Sequence, residues 1–363
     1  MAFPQTTQRS LLVWHVHGSW MESFVAGEHR YLVPVNAPRD LDGRGLCGRD
    51  WPRAQEVPLP ELREQEIDLV VLQRPHEIEL TARVLGRRPG IDVPAVYVEH
   101  NTPRPFVVES LHPIADRADI PLIHVTAFNQ LMWDNGRAPT RVIDHGIADP
   151  GHLYTGDIAA AGALINEPLR RWRTVGADLL GPLGQSAAVD VWGIGTEDLN
   201  DPAHRCAGVV GHGDLRTDQL MKELAHRRVY LHTARWTSLG LSLLEAMFLG
   251  MPVVAVAATM APMVVPPEAG VVSADLDTLR TALSGLIADR YLAEVVGKAA
   301  RNYAMEHFGL DRFLHQWDQV IEAQCSAGSS GGYCREDRDD FRTCQPAGRA
   351  GWGRCRRPER PRR

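Results

Sequence analysis

The sequence predicts an α/β protein made of two doubly wound, Rossmann-like domains facing a cleft. Three observations carry that prediction. The chain has 363 residues, a length that suits two domains better than one. Short runs rich in Val, Leu and Ile alternate with longer mixed segments through both halves. Most of those runs are apolar on both faces, as in parallel strands covered by helices on either side.

In the first half, strands are expected at 11–17, 31–36, 68–74, 95–100, 121–127 and 141–146, with a helix at 77–85. The first domain is therefore assigned to 1–146. A loop-like stretch with Asp149, Pro150, Gly151 and Gly156 sets a linker at 147–160. The second domain, 161–308, repeats the alternation. Its strands are expected at 162–166, 189–195, 208–211, 228–233, 252–257 and 270–274, and its helices at 174–183, 217–225, 239–249, 277–288 and 291–307. A last helix over about 311–323, within 309–324, is expected to pack back towards the first domain. Residues 325–363 hold four of the six cysteines, ten arginines and a Gly/Ser run, with no apolar periodicity. They are expected to form a disordered tail. Their cysteines, at 325, 334, 344 and 355, lack the close pairing of a structural zinc site.

Composition narrows the function classes. A net charge of −6 gives no electrostatic reason for a nucleic-acid partner. No apolar run reaches the ~18–20 residues needed to span a bilayer, and the start lacks the charged and apolar segments of a secretion signal. Peripheral membrane contact stays open, although no basic amphipathic helix argues for it. Only Cys47 and Cys206 precede residue 320, so a cytoplasmic location is expected rather than a disulfide framework. The only lysines are Lys222 and Lys298, which leaves arginine to grip any phosphate.

The most informative stretch is 228–257, RVYLHTARWTSLGLSLLEAMFLGMPVVAVA. A strand ends near Thr233, a loop carries Trp236, Thr237 and Ser238, and a helix runs from about Leu239 to Gly250. Gly250 suits a helix C-terminus, and Pro252 prevents continuation. The free amides near Ser238, Leu239, Gly240 and Leu241, with the helix dipole, suit a diphosphate. Glu245 lies five residues past Gly240, roughly 7–8 Å along the helix axis, a workable span from a diphosphate to its ribose. A carboxylate among Leu243, Leu244, Ala246 and Met247 is poorly explained as solvated surface.

The segment SLGLSLLEAMFLGMPVVA resembles the donor-binding segment of retaining GT-B glycosyltransferases of family 4, also called glycosyl transferases group 1. The likeness lies in Gly240, Leu241, Leu244, Glu245, Ala246, Met247, Gly250, Pro252, Val253 and Val254. It implies a GT-B fold, with a nucleotide sugar bound to the second domain, Glu245 on the ribose, and the amides from Ser238 to Leu241 on the distal phosphate and sugar. One departure stands out. The family carries a first Glu, in contact with the donor sugar, eight residues before Glu245; here that position is Thr237. A hydroxyl can hydrogen-bond but supplies no charge. The family's phosphate-gripping Arg and Lys map to INEPLRRWRTVGADLL, where Arg170, Arg171 and Arg173 are the candidates and Arg170 and Arg173 the choice.

In the first domain, His17, His76, His100 and His145 fall at or just past the carboxyl ends of expected strands, the edge that should face the cleft. The resemblance gives Gly18 to the family's Gly-rich loop and sets His100 near the donor sugar and acceptor. His17, His76 and Glu77 are expected on the acceptor side. His15 and His17 share a strand face but have no evident third ligand, so no metal is expected. WGIGTED and VVGHGD do not form Gly-x-Gly-x-x-Gly, so dinucleotide binding is not expected.

The resemblance spans about 10–323 and is strongest in 228–257. It implies transfer of a sugar from a nucleotide-sugar donor to a hydroxyl acceptor (a glycan, glycolipid or small molecule), with retention and without metal or other cofactor. Two alternatives remain: a nucleotide-sugar epimerase, and a glycosyltransferase-like binding protein without turnover.

Overall fold

A computed structural model describes residues 7–329. Seven strands form the first sheet: β1 (Ser10–Val13), β2 (Arg30–Val35), β3 (Ala54–Pro58), β4 (Leu69–Leu72), β5 (Ala95–Glu99), β6 (Leu122–His124) and β7 (Thr140–Val142). They are parallel, in the order β3-β2-β1-β4-β5-β6-β7. The apolar runs are apolar on both faces because both faces are covered. Leu11, Val13, Leu69 and Val71 pack with Trp20 and Phe24 on one side. Leu12, Val70 and Leu72 pack with Leu62, Leu80 and Leu85 on the other. Side chains two apart on a strand share a face, so each run serves two cores at once.

The second sheet has six parallel strands: β8 (Ile158–Leu164), β9 (Val189–Trp192), β10 (Val209–Gly211), β11 (Arg227–His232), β12 (Val253–Val256) and β13 (Gly270–Ser273). Their order, β10-β9-β8-β11-β12-β13, repeats the plan of the first sheet. Strand order reverses at β1/β4 in one sheet and at β8/β11 in the other. Such switch points open a crevice beyond the carboxyl ends of the strands.

Three features differ from expectation. β3, with sequence AQEVP, is absent from the expected strands: it is an edge strand whose only fully buried side chain is Val57. A single helix over 174–183 does not form. The chain instead makes a helix at Pro168–Val175, turns at Gly176, and resumes at Leu180–Gly184. Gly176 adopts φ +72°, and a Cβ there would lie 1.9 Å from the Thr233 carbonyl oxygen, so only glycine fits this left-handed cap. Lastly, the final helix runs over Leu310–Ser329 rather than stopping near 323. Residues 325–329 of the expected tail therefore belong to it, and Cys325 is buried. The rest of that expected tail lies outside the described residues.

The final helix completes the first domain. Phe313, Trp317, Val320 and Ile321 are almost fully buried in the core that holds Trp20 and Phe24. The chain passes between domains at two adjacent points, tied together where the Ile147 amide donates to the Phe308 carbonyl at 2.8 Å. Arg312 secures the return by donating to the carbonyls of Asp144 and His145. No helix among the described residues is long and apolar enough to cross a membrane.

Candidate active site

A cavity of about 400 Å³ opens at the switch point of the second sheet. Asn166 and Arg171 follow β8, Trp192 and Gly193 close β9, Asp214 and Thr217 follow β10, and Thr237, Gly240 and Glu245 follow β11. Ser19 of the first domain also lines it. The volume falls within the range of small-molecule sites.

The loop after β11 leads into the helix Leu241–Leu249. Gly240 is its N-cap, with no side-chain cap, so the first helical amides have no acceptor within the helix. A Cβ on Gly240 would lie 2.9 Å from Cε1 of His232, so the glycine lets the helix start close over the strand end. Gly250 closes the helix in a left-handed conformation, φ +94°. Leu243, Leu244, Ala246, Met247, Phe248 and Leu249 are all buried in the second-domain core. Glu245 is the exception, because its side chain faces the cavity. Its carboxylate has no hydrogen bond or ion pair among the described residues, and burial pushes its pKa up to about 7. A carboxylate so crowded and so unpaired is costly unless a ligand supplies donors.

The run 237–241 divides rather than facing the cavity as one surface. Thr237, Gly240 and Leu241 line the cavity. The Thr237 hydroxyl oxygen is buried and without a partner. Ser238 turns to the first domain, its Oγ 3.3 Å from Thr126 Oγ1, and Leu239 is buried in the core beside Ile147. The side chains of Ser238 and Leu239 are thus committed elsewhere, while the expectation at these two positions concerns their backbone amides.

Of the three candidate arginines, Arg171 is the one that lines the cavity. Arg170 donates through Nε to Glu167 at 2.7 Å and is 69% exposed. Arg173 pairs with Asp178 at 3.0 Å and is 72% exposed. Arg171 lines the cavity, half-buried, with no ion pair for its guanidinium among the described residues. The backbone kinks at Trp172, between Arg171 and Arg173, so helical spacing alone does not set which arginine meets the cavity. Glu167, at φ +54°, and Trp172, at φ +27°, set the local backbone. Both are rare conformations for side-chain-bearing residues.

In the first domain, the His17 and His100 rings lie with centroids 4.2 Å apart and planes tilted by 41°. His100 Nε2 is 3.0 Å from Gln73 Oε1, and the ring meets Trp20 edge-on. Burial, then the nearby His17 and His145, holds His100 well below its ordinary value. Burial takes His145 down to about 3. Burial lowers His17 as well, so all three rings are held below the ordinary histidine value. His76 is exposed and bonded to Asp42 at 2.8 Å. Glu77 does not line the cleft: it is fully buried, and its carboxylate accepts from the Gln73 amide at 2.6 Å and Arg74 Nε at 2.6 Å. It closes the loop after β4. Gly18 begins the helix Gly18–Phe24. Its open side accommodates Arg49, whose Nη2 would be 2.9 Å from a Cβ. His15 packs on Trp51 and bonds the Gly45 carbonyl, so it does not join His17. Among the described residues no group of three or more His, Cys, Asp or Glu is arranged to hold a metal.

Several lining residues lie outside the sequence-based candidates. Ser19 is reached only when the domains meet. Trp192 ends β9, and Asp214 and Thr217 both come from the connection after β10, so no single motif joins them.

Residues 177–289 match the family model described as glycosyl transferases group 1, a stretch that spans the loop after β11 and its helix. No curated protein matches the sequence. Among solved structures, the sucrose-phosphate synthase of Thermosynechococcus elongatus is 16% identical, with 88% of this chain and 100% of that one covered and a TM-score of 0.65. Anabaena HepE in complex with UDP-glucose is 19% identical, with 87% and 100% covered and a TM-score of 0.67. A glycosyltransferase from Rickettsia africae is 10% identical, with 87% and 98% covered and a TM-score of 0.61. The fold is that of GT-B glycosyltransferase structures: two parallel sheets with flanking helices, in two domains. The family match and this fold together support a group 1 glycosyltransferase.

Proposed function

We propose that this chain binds a nucleotide sugar in the second-domain cavity and transfers the sugar to a hydroxyl acceptor, with retention and without metal. The observation that carries the reading is Glu245: an unpaired, crowded carboxylate facing a cavity at the helix start. Two ribose hydroxyls are donors of the right kind for it. The free amides at Leu241 and Ser242, together with Arg171, would take the diphosphate. They would also stabilise its charge as the bond to the sugar breaks. Trp192, Leu215, Leu220 and Met221 give the far end of the cavity an apolar surface suited to a base. The UDP-glucose bound to HepE supports a donor of this class.

With Glu245 assigned to the ribose, retention would proceed by front-face attack, with the leaving phosphate drawing off the acceptor proton. His100 would act as a neutral neighbour of the reacting sugar. Its low proton affinity suits a hydrogen-bonding role rather than a cationic one. The acceptor would be a glycan, glycolipid or small metabolite. The free thiols at Cys47 and Cys206 favour a cytoplasmic setting.

Thr237 favours a second reading, a binding protein without turnover, since a hydroxyl offers no charge to an oxocarbenium-like sugar. A thermal-shift panel of UDP-, GDP-, ADP- and dTDP-sugars tests binding, because a ligand specific to the folded state raises its melting temperature. Release of nucleoside diphosphate, with an acceptor panel and with water, separates the two readings. If none of the sugar nucleotides binds, both fail.

A further inference from the structure

We infer that the donor carries guanine and that Asp214 reads its Watson–Crick edge. The inference rests on the donor reading above and narrows its substrate class to guanosine diphosphate sugars.

Among the described residues two carboxylates line the cavity, those of Glu245 and Asp214. Glu245 is taken by the ribose in that reading, which leaves Asp214 for another part of the donor. Asp214 stands in the connection after β10, next to Leu215 and just before the helix Thr217–Ala225. Leu215, Leu220 and Met221, with Trp192, form the apolar end of the cavity. Trp192 is buried and Asp214 is exposed, so the carboxylate marks the rim of that end. A flat base laid on the apolar surface covers its faces and turns its polar edge to such a rim.

The residues just before Asp214 are pinned to β9 and the turn that follows it. His212 stacks on Trp192 with centroids 5.0 Å apart, and its Nε2 lies 2.8 Å from Asp190 Oδ1. The Gly213 carbonyl accepts from the Gly193 amide at 2.9 Å, and the Gly213 amide donates to Thr196 Oγ1 at 2.9 Å. Asp190 also accepts from Arg227 Nε at 2.8 Å, so its carboxylate is used in holding the loop. Asp214 differs. It makes no hydrogen bond or ion pair through its side chain among the described residues, and the neighbouring Arg216 is paired with Asp218 at 3.4 Å. A full set of acceptor lone pairs is left at the cavity rim.

An ionised carboxylate accepts hydrogen bonds and donates none. Its planar pair of oxygens matches two donors set side by side. Guanine alone of the common bases presents that pattern, with N1–H beside the 2-amino group. Uracil and thymine set one N–H between two carbonyl oxygens. Adenine and cytosine set an amino group beside an acceptor nitrogen. Each of these four brings a lone pair against the carboxylate, and a site of this kind selects by such mismatches. The UDP-glucose in HepE, 19% identical, bears on the class of donor and not on its base.

Titration calorimetry of wild-type, Asp214→Ala and Asp214→Asn proteins with GDP, UDP, ADP, inosine diphosphate and xanthosine diphosphate provides the test. Wild type should bind GDP about 10-fold or more tighter than UDP or ADP. Inosine diphosphate, which lacks the 2-amino group, should bind about 3- to 10-fold more weakly than GDP. Asp214→Ala should lose about 10-fold for GDP and stay within about twofold of wild type for UDP and ADP. Asp214→Asn should favour xanthosine diphosphate over GDP. Its amide sets a donor beside an acceptor, and xanthine offers N1–H beside a carbonyl oxygen. Three results would overturn this inference and leave the donor reading standing: wild type that prefers UDP or ADP to GDP, undiminished GDP affinity in Asp214→Ala, or an equal loss for every nucleotide in that variant. Wild type that binds none of the diphosphates would overturn both.

Discussion

Replacing Glu245 with glutamine separates the cost of this carboxylate from its use. Burial raises its pKa from 4.5 to about 7. At ~1.4 kcal/mol per pH unit, ionising it in the empty folded protein therefore costs about 3 kcal/mol relative to the unfolded chain. The sign follows from proton uptake. Between pH 4.5 and 7 the folded state holds the proton more tightly, so the group's contribution is fully present below 4.5 and lost as pH rises through 7. Glutamine has nearly the same shape and does not titrate. In urea denaturation, Glu245→Gln should match wild type within about 0.5 kcal/mol at pH 4.5 and exceed it by up to about 3 kcal/mol at pH 8. The gain should come with a loss. An ionised carboxylate accepts from two ribose hydroxyls, and charged hydrogen bonds are worth about 1.5–3 kcal/mol, so nucleotide affinity should fall about 10- to 100-fold. A variant no more stable at pH 8 than at pH 4.5, relative to wild type, would refute the burial argument. A more stable variant with undiminished nucleotide affinity would refute the ribose assignment and leave the burial argument standing.

Three further outcomes follow from the geometry. Arg171→Gln should reduce donor turnover at least 10-fold, while Arg170→Ala and Arg173→Ala, whose side chains are exposed and paired with Glu167 and Asp178, should stay within about threefold of wild type; a nucleotide-release assay ranks the three. Gly176→Ala should cost about 3 kcal/mol or more in denaturant unfolding, because its Cβ would overlap the Thr233 carbonyl at 1.9 Å. Trp317→Ala should cost about 3–5 kcal/mol, since the indole is 2% exposed and packs edge-on against Trp20 and Phe24. Its loss should also expose the first-domain core to a hydrophobic dye.

Much of the fold was legible because parallel strands carry their signal locally. LVVL at β4 and VVAV at β12 are buried throughout or nearly so, and a short run apolar on both faces fits a strand covered by helices on both sides. β3 escaped because an edge strand is covered on fewer sides and tolerates AQEVP. The break at Gly176 escaped because its cause, the Thr233 carbonyl, comes from a strand some sixty residues later. The site divides in the same way. Gly240 and Glu245 share one helix start, and their spacing alone sets them along one cavity wall. Arg171 could not be chosen over Arg170 and Arg173, because the choice depends on which side chains Glu167 and Asp178 already hold.

By itself, then, the sequence determined the two doubly wound sheets and the helix that begins at the cavity, since periodicity, caps and burial are local properties written in neighbouring residues. The tertiary structure decided which side chains remain free to meet a ligand. The side chains of Ser238, Leu239 and Glu77 are taken up by the protein itself, while among the described residues Glu245, Thr237 and Arg171 reach the cavity with no side-chain partner. That distinction depends on hydrogen bonds and ion pairs that exist only in the folded chain, some between near neighbours, as at Glu77 and Arg74, and some between the domains, as at Ser238 and Thr126.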